Sequence, residues 1–486
     1  MDDLPEDENQ RAPIIRFSLS RLNAHRRTLG RLTKTLDNVI ASITEEYSAM
    51  LNGVGLASLS DDVLAYILEL AFWNCRTFSN EESSTNDAVT LSIVCRRFRM
   101  VALSLPSLWS RVVSFAHSKK TVRMLTERSP RPNVILSTDS IDDFLVNLHP
   151  PSQWSGLELY GEFSKLKTGL KKISLASHSS FESLVHLSLY MHDPITDDWV
   201  AWTRPTVISS KAAKLLSHWS LPNVTSLMIG NVIPTQLECP SLKRLSLSLQ
   251  QIRAGVPRKL DFGTLGGFLE CFPLITDLSI SLGNVKFINA VDHVSASGSS
   301  VPFERLENFS LRIYGSCDAI SVAEIMNLIN ISSITKMEIT LRPQNMQTDS
   351  LRRWLDSIFP SLMESDPYPR LVDFSLTVKH SEDVEINFRP IIAAIPHVRN
   401  LSLSVPGYSG IHEDVGDVLK DLQVLHLKDC NEMAVLSFFR LLHEKMTKRP
   451  DQFAKFKKLH VQRSPTSPFN KYIYGDLLKD RVVWED

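Results

Sequence analysis

The sequence predicts an α/β fold, in which an N-terminal helix and a small all-α module precede an irregular solenoid with a parallel β-sheet. Three observations carry this expectation. From about Trp154 almost to the end of the chain, one apolar pattern returns again and again: a residue, then others three and five positions later. Helical periodicity fills the gaps between its copies. Ahead of the array, between Leu56 and Trp109, lie two short amphipathic helical patterns.

Length and composition set the frame. At 486 residues the chain exceeds one ordinary core and suggests about three units. Apolar residues make up 43%, which is typical of globular proteins, and 53 basic against 54 acidic residues argue against a general nucleic-acid binder. No run of about 18 uncharged apolar residues occurs, so no membrane-spanning helix is expected. The start, Met1-Asp2-Asp3-Leu4-Pro5-Glu6-Asp7-Glu8, is acidic where a secretory signal needs a basic start and an apolar stretch. The expected address is therefore intracellular, in cytoplasm and/or nucleus. Cys75, Cys95, Cys239, Cys271, Cys317 and Cys430 are scattered without a close pair. Neither a zinc site nor a disulfide framework follows, and buried thiols are expected.

Residues 1–13 read as a disordered acidic tail. Over 14–52 a helix is expected, because Leu22, Leu29, Leu36, Ile43 and Met50 recur every seven residues, with Leu32 and Val39 on the alternating seam. His25 and Glu46 interrupt that seam, while Arg16, Arg21, Arg26, Arg27, Arg31 and Lys34 make its first half basic. Three readings stand: a helix laid against the following module, a coiled coil that makes a homodimer, or a basic surface for an acidic partner.

The module over 55–115 rests on spacing. Val63, Leu64, Ile67, Leu68, Ala71 and Phe72 share one helical face, as do Leu91, Val94, Cys95, Phe98, Val101, Ala102 and Leu105. Pro106 removes a backbone donor and pushes Leu105 out of the α region, so the second helix should stop there. The polar stretch Thr77–Asp87 looks like an inserted loop. Spacing alone fits a bundle that buries both faces internally. Yet Leu56, Leu59, Asp62, Val63, Leu64, Ile67 and Leu68, with Val94-Cys95-Arg96-Arg97-Phe98-Arg99 and Ser107-Leu108-Trp109, resemble the F-box, above all its fungal F-box-like form. Two positions depart from that pattern: Ser60 stands where the family has Pro, and Phe98 where it has Trp. Phe keeps the aromatic burial, and a Ser hydroxyl can still cap a helix. The resemblance implies a surface for a Skp-type linker subunit, made by Leu59, Val63, Leu64, Ile67, Leu68, Val94, Phe98 and Trp109.

A connector over 116–150 leads to the array at 151–463, with a C-terminal tail over 464–486. Copies of the pattern include Leu184, Leu187, Leu189; Leu242, Leu245, Leu247; Leu306, Phe309, Leu311; and Leu422, Leu425, Leu427. The last two members share a strand face, and the first reaches the core from the incoming turn. Ser321 with Glu324 has capping-box spacing ahead of Ile325, and Asp349 precedes Leu351, Trp354, Leu355, Ile358 and Phe359. Pro222, Pro273, Pro360 and Pro396 stop helices before strands. Middle positions step by 18 to 40 residues between Leu187 and Leu459. This resembles the helix-bearing kind of leucine-rich repeat, whose fuller signature Leu422–Cys430 matches. The resemblance implies a curved solenoid with the sheet inside and the helices outside.

The residue between the paired strand apolars should point to the concave face. These are Ser188, Met228, Ser246, Ser279, Ser310, Glu338, Ser375, Ser402, His426 and His460, of which six are Ser. A target-binding face is expected at Ser246, Ser279, Ser310, Ser375, Ser402, His426, Lys428, Lys458 and His460. Its C-terminal end, with Gln462, should be cationic and suit an acidic segment; the alternative is that Ser is merely tolerated at exposed strand positions.

No phosphate-binding loop, His-Glu-x-x-His or Gly-x-Ser-x-Gly occurs, and His178, His186 and His192 lack partners at ligand spacing. No enzyme, cofactor or metal is expected. The F-box resemblance implies a substrate-recognition adaptor of an SCF-type cullin-RING ubiquitin ligase, joining a Skp-type linker to a target protein. The alternative is a repeat scaffold whose F-box-like helices serve only as a cap.

Overall fold

A computed structural model gives the chain two compact units, 1–108 and 109–486. It describes residues 19–23, 26, 29–30, 32–43, 59–75, 83–139, 141–145, 148–177, 181–192, 215–234, 237–250, 258–260, 262–287, 301, 303–329, 331–343, 348–359, 368–379, 386–405, 419–464 and 478–485.

In the first unit, residues 19–23 and 32–43 are helical, and their seam side chains lie in solvent: Leu22, Leu29, Leu32, Leu36, Val39 and Ile43 are 48–64% exposed. Met50, His25 and Glu46 lie outside the described residues. Three further helices follow, Asp61–Cys75, Ser83–Ile93 and Arg96–Ser104. The first opens at Ser60, whose carbonyl accepts the Leu64 amide at 3.0 Å, and carries Asp61 and Asp62 in its first turn, where the helix dipole favours negative charge. The expected single helix through Leu91 and Leu105 is instead two helices broken at Val94-Cys95. The break is stabilised by a cap: the Cys95 backbone is extended and its Sγ accepts the Phe98 amide at 3.4 Å. The stop before Pro106 is as expected, with Leu105 extended at φ −103° and ψ 94°. The stretch expected as a loop over Thr77–Asp87 contains a helix start at Ser83, because Ala88, fully buried, gives that helix a side to pack.

Among the described residues the second unit holds a fourteen-stranded sheet in which each strand pairs in parallel with the next, and a separate pair of short strands. Its core strands obey the apolar pattern. Along Asp277–Gly283, Asn308–Gly315 and Lys336–Pro343, residues alternate between buried and partly exposed, and Ile280, Leu311 and Ile339 sit side by side with no exposure. A row of such residues stacks its apolar face into one continuous core, whereas a register slip of one would turn every leucine to solvent.

The sheet is longer than the pattern suggests. It begins at Arg111–Val113 and continues through Asn133–Ser137, inside the stretches expected as module and connector. At the far end Val482–Glu485 closes it from within the expected tail. These strands lack a complete triplet, since Ser114, Arg131 and Lys479 stand where an apolar member is required. Trp109 is the first member of such a triplet with Val112. Both are buried, and the Arg128 guanidinium lies 4.5 Å from the Trp109 ring.

Two local details govern the turns. The helix expected to open near Ser321 opens a turn earlier: Asp318 caps Ala319–Leu328, its carboxylate accepting the Ser321 amide at 2.6 Å, and Ser321 itself is buried inside the helix. A carboxylate at this position stabilises the helix start by about 1 kcal/mol relative to Ala. Just after their strands, Asn231 and Asn284 adopt left-handed φ of 59° and 54°. Their side-chain carbonyls accept the Gln250 and Ser316 amides at 2.8 and 2.9 Å, so each ties its turn to the next unit.

Candidate binding surfaces

The residues expected to bind a linker do not form one accessible face. Val63 and Val94 are 45% and 61% exposed, Leu59, Ile67 and Phe98 are half-buried, and Leu64, Leu68 and Trp109 are at 2% or less. The last three are corrected to packing residues, because a side chain without exposed surface offers nothing to a partner. What the Asp61–Cys75 helix does present is Val63, Tyr66 and Leu70, 44–62% exposed, at steps of three and four. That spacing places them on one stripe. Tyr66 and Leu70 were missed because the alternative face through Leu64 and Leu68 is equally apolar, and sequence alone does not say which face turns inward.

Arg97 joins this stripe to the neighbouring helix. Its guanidinium donates to the Asp61 carboxylate at 2.7 Å and to the Leu59 carbonyl. The ion pair is partly exposed and contributes below about 1 kcal/mol by itself. Its geometric role is larger, since it holds the two helix starts together. Ile93, Met100 and Leu103 add exposed apolar surface to this unit.

On the second unit the expected row is continuous. Strand pairing aligns Ser188, Met228, Ser246, Ser279, Ser310, Glu338, Ser375, Ser402, His426 and His460, strand after strand. Ser188 is buried, and the others are partly or fully exposed. A hollow of about 430 Å³ opens where Met228, Ser246, Ser279 and Ser310 meet Arg244, Asp277, Asn308, Arg312, Lys336 and Glu338. Within it Lys336 pairs with Glu338 at 2.8 Å, and the Asn308 amide donates to Asp277 at 2.8 Å. Arg244 and Arg312 are exposed at opposite corners of the hollow, flanking the serines. Small hydroxyls in the middle leave room, and two guanidiniums at the margin offer charge. Ser375 and Ser402 continue the row beyond the hollow.

The C-terminal end is less cationic than expected. His426 and His460 stack at 4.3 Å with planes 4° apart, Lys428 aligns with Gln462, and Lys458 with Val424. Burial lowers the pKa of His426, helped by the charge of His460 and Lys458, and lowers His460, helped by Lys458. Both shifts favour the neutral rings, so the histidines add little positive charge to this end. The unforeseen last strand adds Glu485 beside Gln462, so the end is mixed in charge.

A comparison with protein families finds no matching family, and no curated protein matches the chain in sequence. The two surfaces therefore stand on their own geometry. Among the described residues no group of His, Cys, Asp and Glu has metal-holding geometry, and no helix is long and apolar enough to cross a membrane. Of the thiols expected to be buried, Cys239, Cys317 and Cys430 are, whereas Cys95 and Cys271 are exposed. Burial pushes the Cys239 thiol up to about 12 and those of Cys317 and Cys430 to about 11. The Cys430 thiol donates to the Leu403 carbonyl at 3.5 Å.

Proposed function

We propose that the chain is a substrate-recognition adaptor of an SCF-type cullin-RING ubiquitin ligase. Its F-box-like helices hold a Skp-type linker, and the polar face of its sheet holds a target protein. The observation that carries this reading is the exposed stripe Val63, Tyr66 and Leu70, together with exposed Val94. A docking module presents apolar surface, and the first unit leaves this stripe uncovered by its own side chains. Burying these four side chains contributes about 6 to 12 kcal/mol at about 1.5 to 3 each. Association costs about 4 to 15 kcal/mol. A stable complex therefore also draws on half-buried Leu59, Ile67 and Phe98.

The adaptor needs no nucleophile of its own. Holding a target lysine near a ubiquitin-charged enzyme on other subunits accelerates transfer by proximity. Co-expression with a Skp-type linker tests the reading: the wild-type chain should co-purify with it, and Val63→Asp/Tyr66→Asp should not, with the melting temperature unchanged. A linker retained by that variant would overturn the assignment.

A further inference from the structure

The helical residues described between 19 and 43 carry an apolar seam that lies in solvent. Leu22, Leu29, Leu32, Leu36, Val39 and Ile43 are all about half exposed or more, at heptad spacing. A period of 3.5 residues, as opposed to 3.6, matches a second supercoiled helix and does not match the broad face of a globular core. We propose that the occupant is the same helix of a second copy, running antiparallel and centred at Lys34. In that register Leu29 faces Val39 of the second copy, and Leu32 faces Leu36. The inference is independent of the ligase reading, since it uses neither the linker stripe nor the sheet.

Direction follows from charge. In a parallel pair the flanking positions bring Arg21 of one copy against Arg26 of the other, on both sides of the seam. Like charges at such positions destabilise. Antiparallel pairing separates these arginines, since in this register Arg26 is level with Ser42 of the second copy. Two-fold self-complementarity of this kind is the ordinary basis of a closed homodimer.

Light scattering and cysteine pairing on the full chain test the proposal. The wild-type protein should have twice the 54.9 kDa monomer mass, and Leu32→Asp/Leu36→Asp should return it to the monomer mass with an unchanged circular dichroism spectrum, because both side chains are exposed in the single chain. On oxidation, a mixture of Leu29→Cys and Val39→Cys chains should form a disulfide-linked dimer that neither forms alone, with the wild-type chain as control for its own thiols. A monomeric wild-type protein, or cross-linking of Leu29→Cys to itself, would overturn the proposal.

Discussion

Replacing Leu311 by Ala should open a cavity in the middle of the sheet, while Ser310→Ala, one residue earlier, should leave stability almost unchanged. Leu311 is fully buried and lies between Ile280 and Ile339 on the adjoining strands, neither of which is exposed. The truncation removes roughly three carbon groups at about 0.8 kcal/mol each, or about 2.4 kcal/mol. A residual void on the order of 50 Å³ adds about 1.2 kcal/mol at roughly 24 cal/mol per Å³. The expected loss is therefore about 3.6 kcal/mol. Ser310 projects from the other face and is half-exposed, so its truncation should fall within about 0.5 kcal/mol. Urea unfolding followed by circular dichroism reads the difference; with a slope on the order of 3 kcal/mol per M, Leu311→Ala should lower the midpoint by about 1 M. Hydrogen exchange should place the extra opening in Asp277–Gly283 and Lys336–Pro343, because a repeat unit is supported chiefly by its neighbours. A loss under 1 kcal/mol for Leu311→Ala, or a comparable loss for Ser310→Ala, would refute the assignment of these two faces.

Stability should decline on acidification from pH 7 to pH 5. Burial, assisted by Arg111, lowers the pKa of His117 from its ordinary 6.5, and burial also lowers His186, His426 and His460. Each neutral ring is favoured in the folded state, so its contribution is complete above 6.5 and is lost as protons bind below it; a melting temperature that rises over this interval would contradict the sign. Alkylation at pH 8, read by mass spectrometry, should modify Cys95 and leave Cys239, Cys317 and Cys430 intact until the protein unfolds, with Cys271 slowed because burial, Glu270 and Glu238 raise its pKa. Rapid labelling of Cys317 in the native protein would be inconsistent with its burial. Asp318→Ala should cost about 1 kcal/mol by thermal unfolding through loss of the helix cap, and a neutral result would show that another group caps this helix.

The repeating units were legible in the sequence because strand alternation is a local signal, and each leucine triplet carries it within six residues. Strands without a full triplet were invisible for the same reason: Asn133–Ser137 has Arg131 where the apolar turn residue belongs, and Val482–Glu485 has Lys479. Trp109 illustrates the opposite failure, in which a residue that ends one motif also begins the first unit of another. The serine row could be read residue by residue, yet the hollow could not. It depends on Arg244, Asp277 and Lys336, one pleat earlier, lying in register on three strands separated by long stretches of chain. Which face of the Asp61–Cys75 helix turns outward was likewise beyond periodicity, since Val63, Tyr66 and Leu70 are as apolar as Leu64 and Leu68.

Affinity capture from cells of the chain's origin, comparing the wild-type protein with Val63→Asp/Tyr66→Asp and with Ser279→Arg/Arg312→Glu, tests the adaptor reading most directly. The wild type should bring down a Skp-type linker, a cullin and a target; the stripe variant should keep the target and lose the other two, and the sheet variant should do the reverse. A wild-type protein that captures neither linker nor cullin, or that loses both partners together in either variant, would contradict the account.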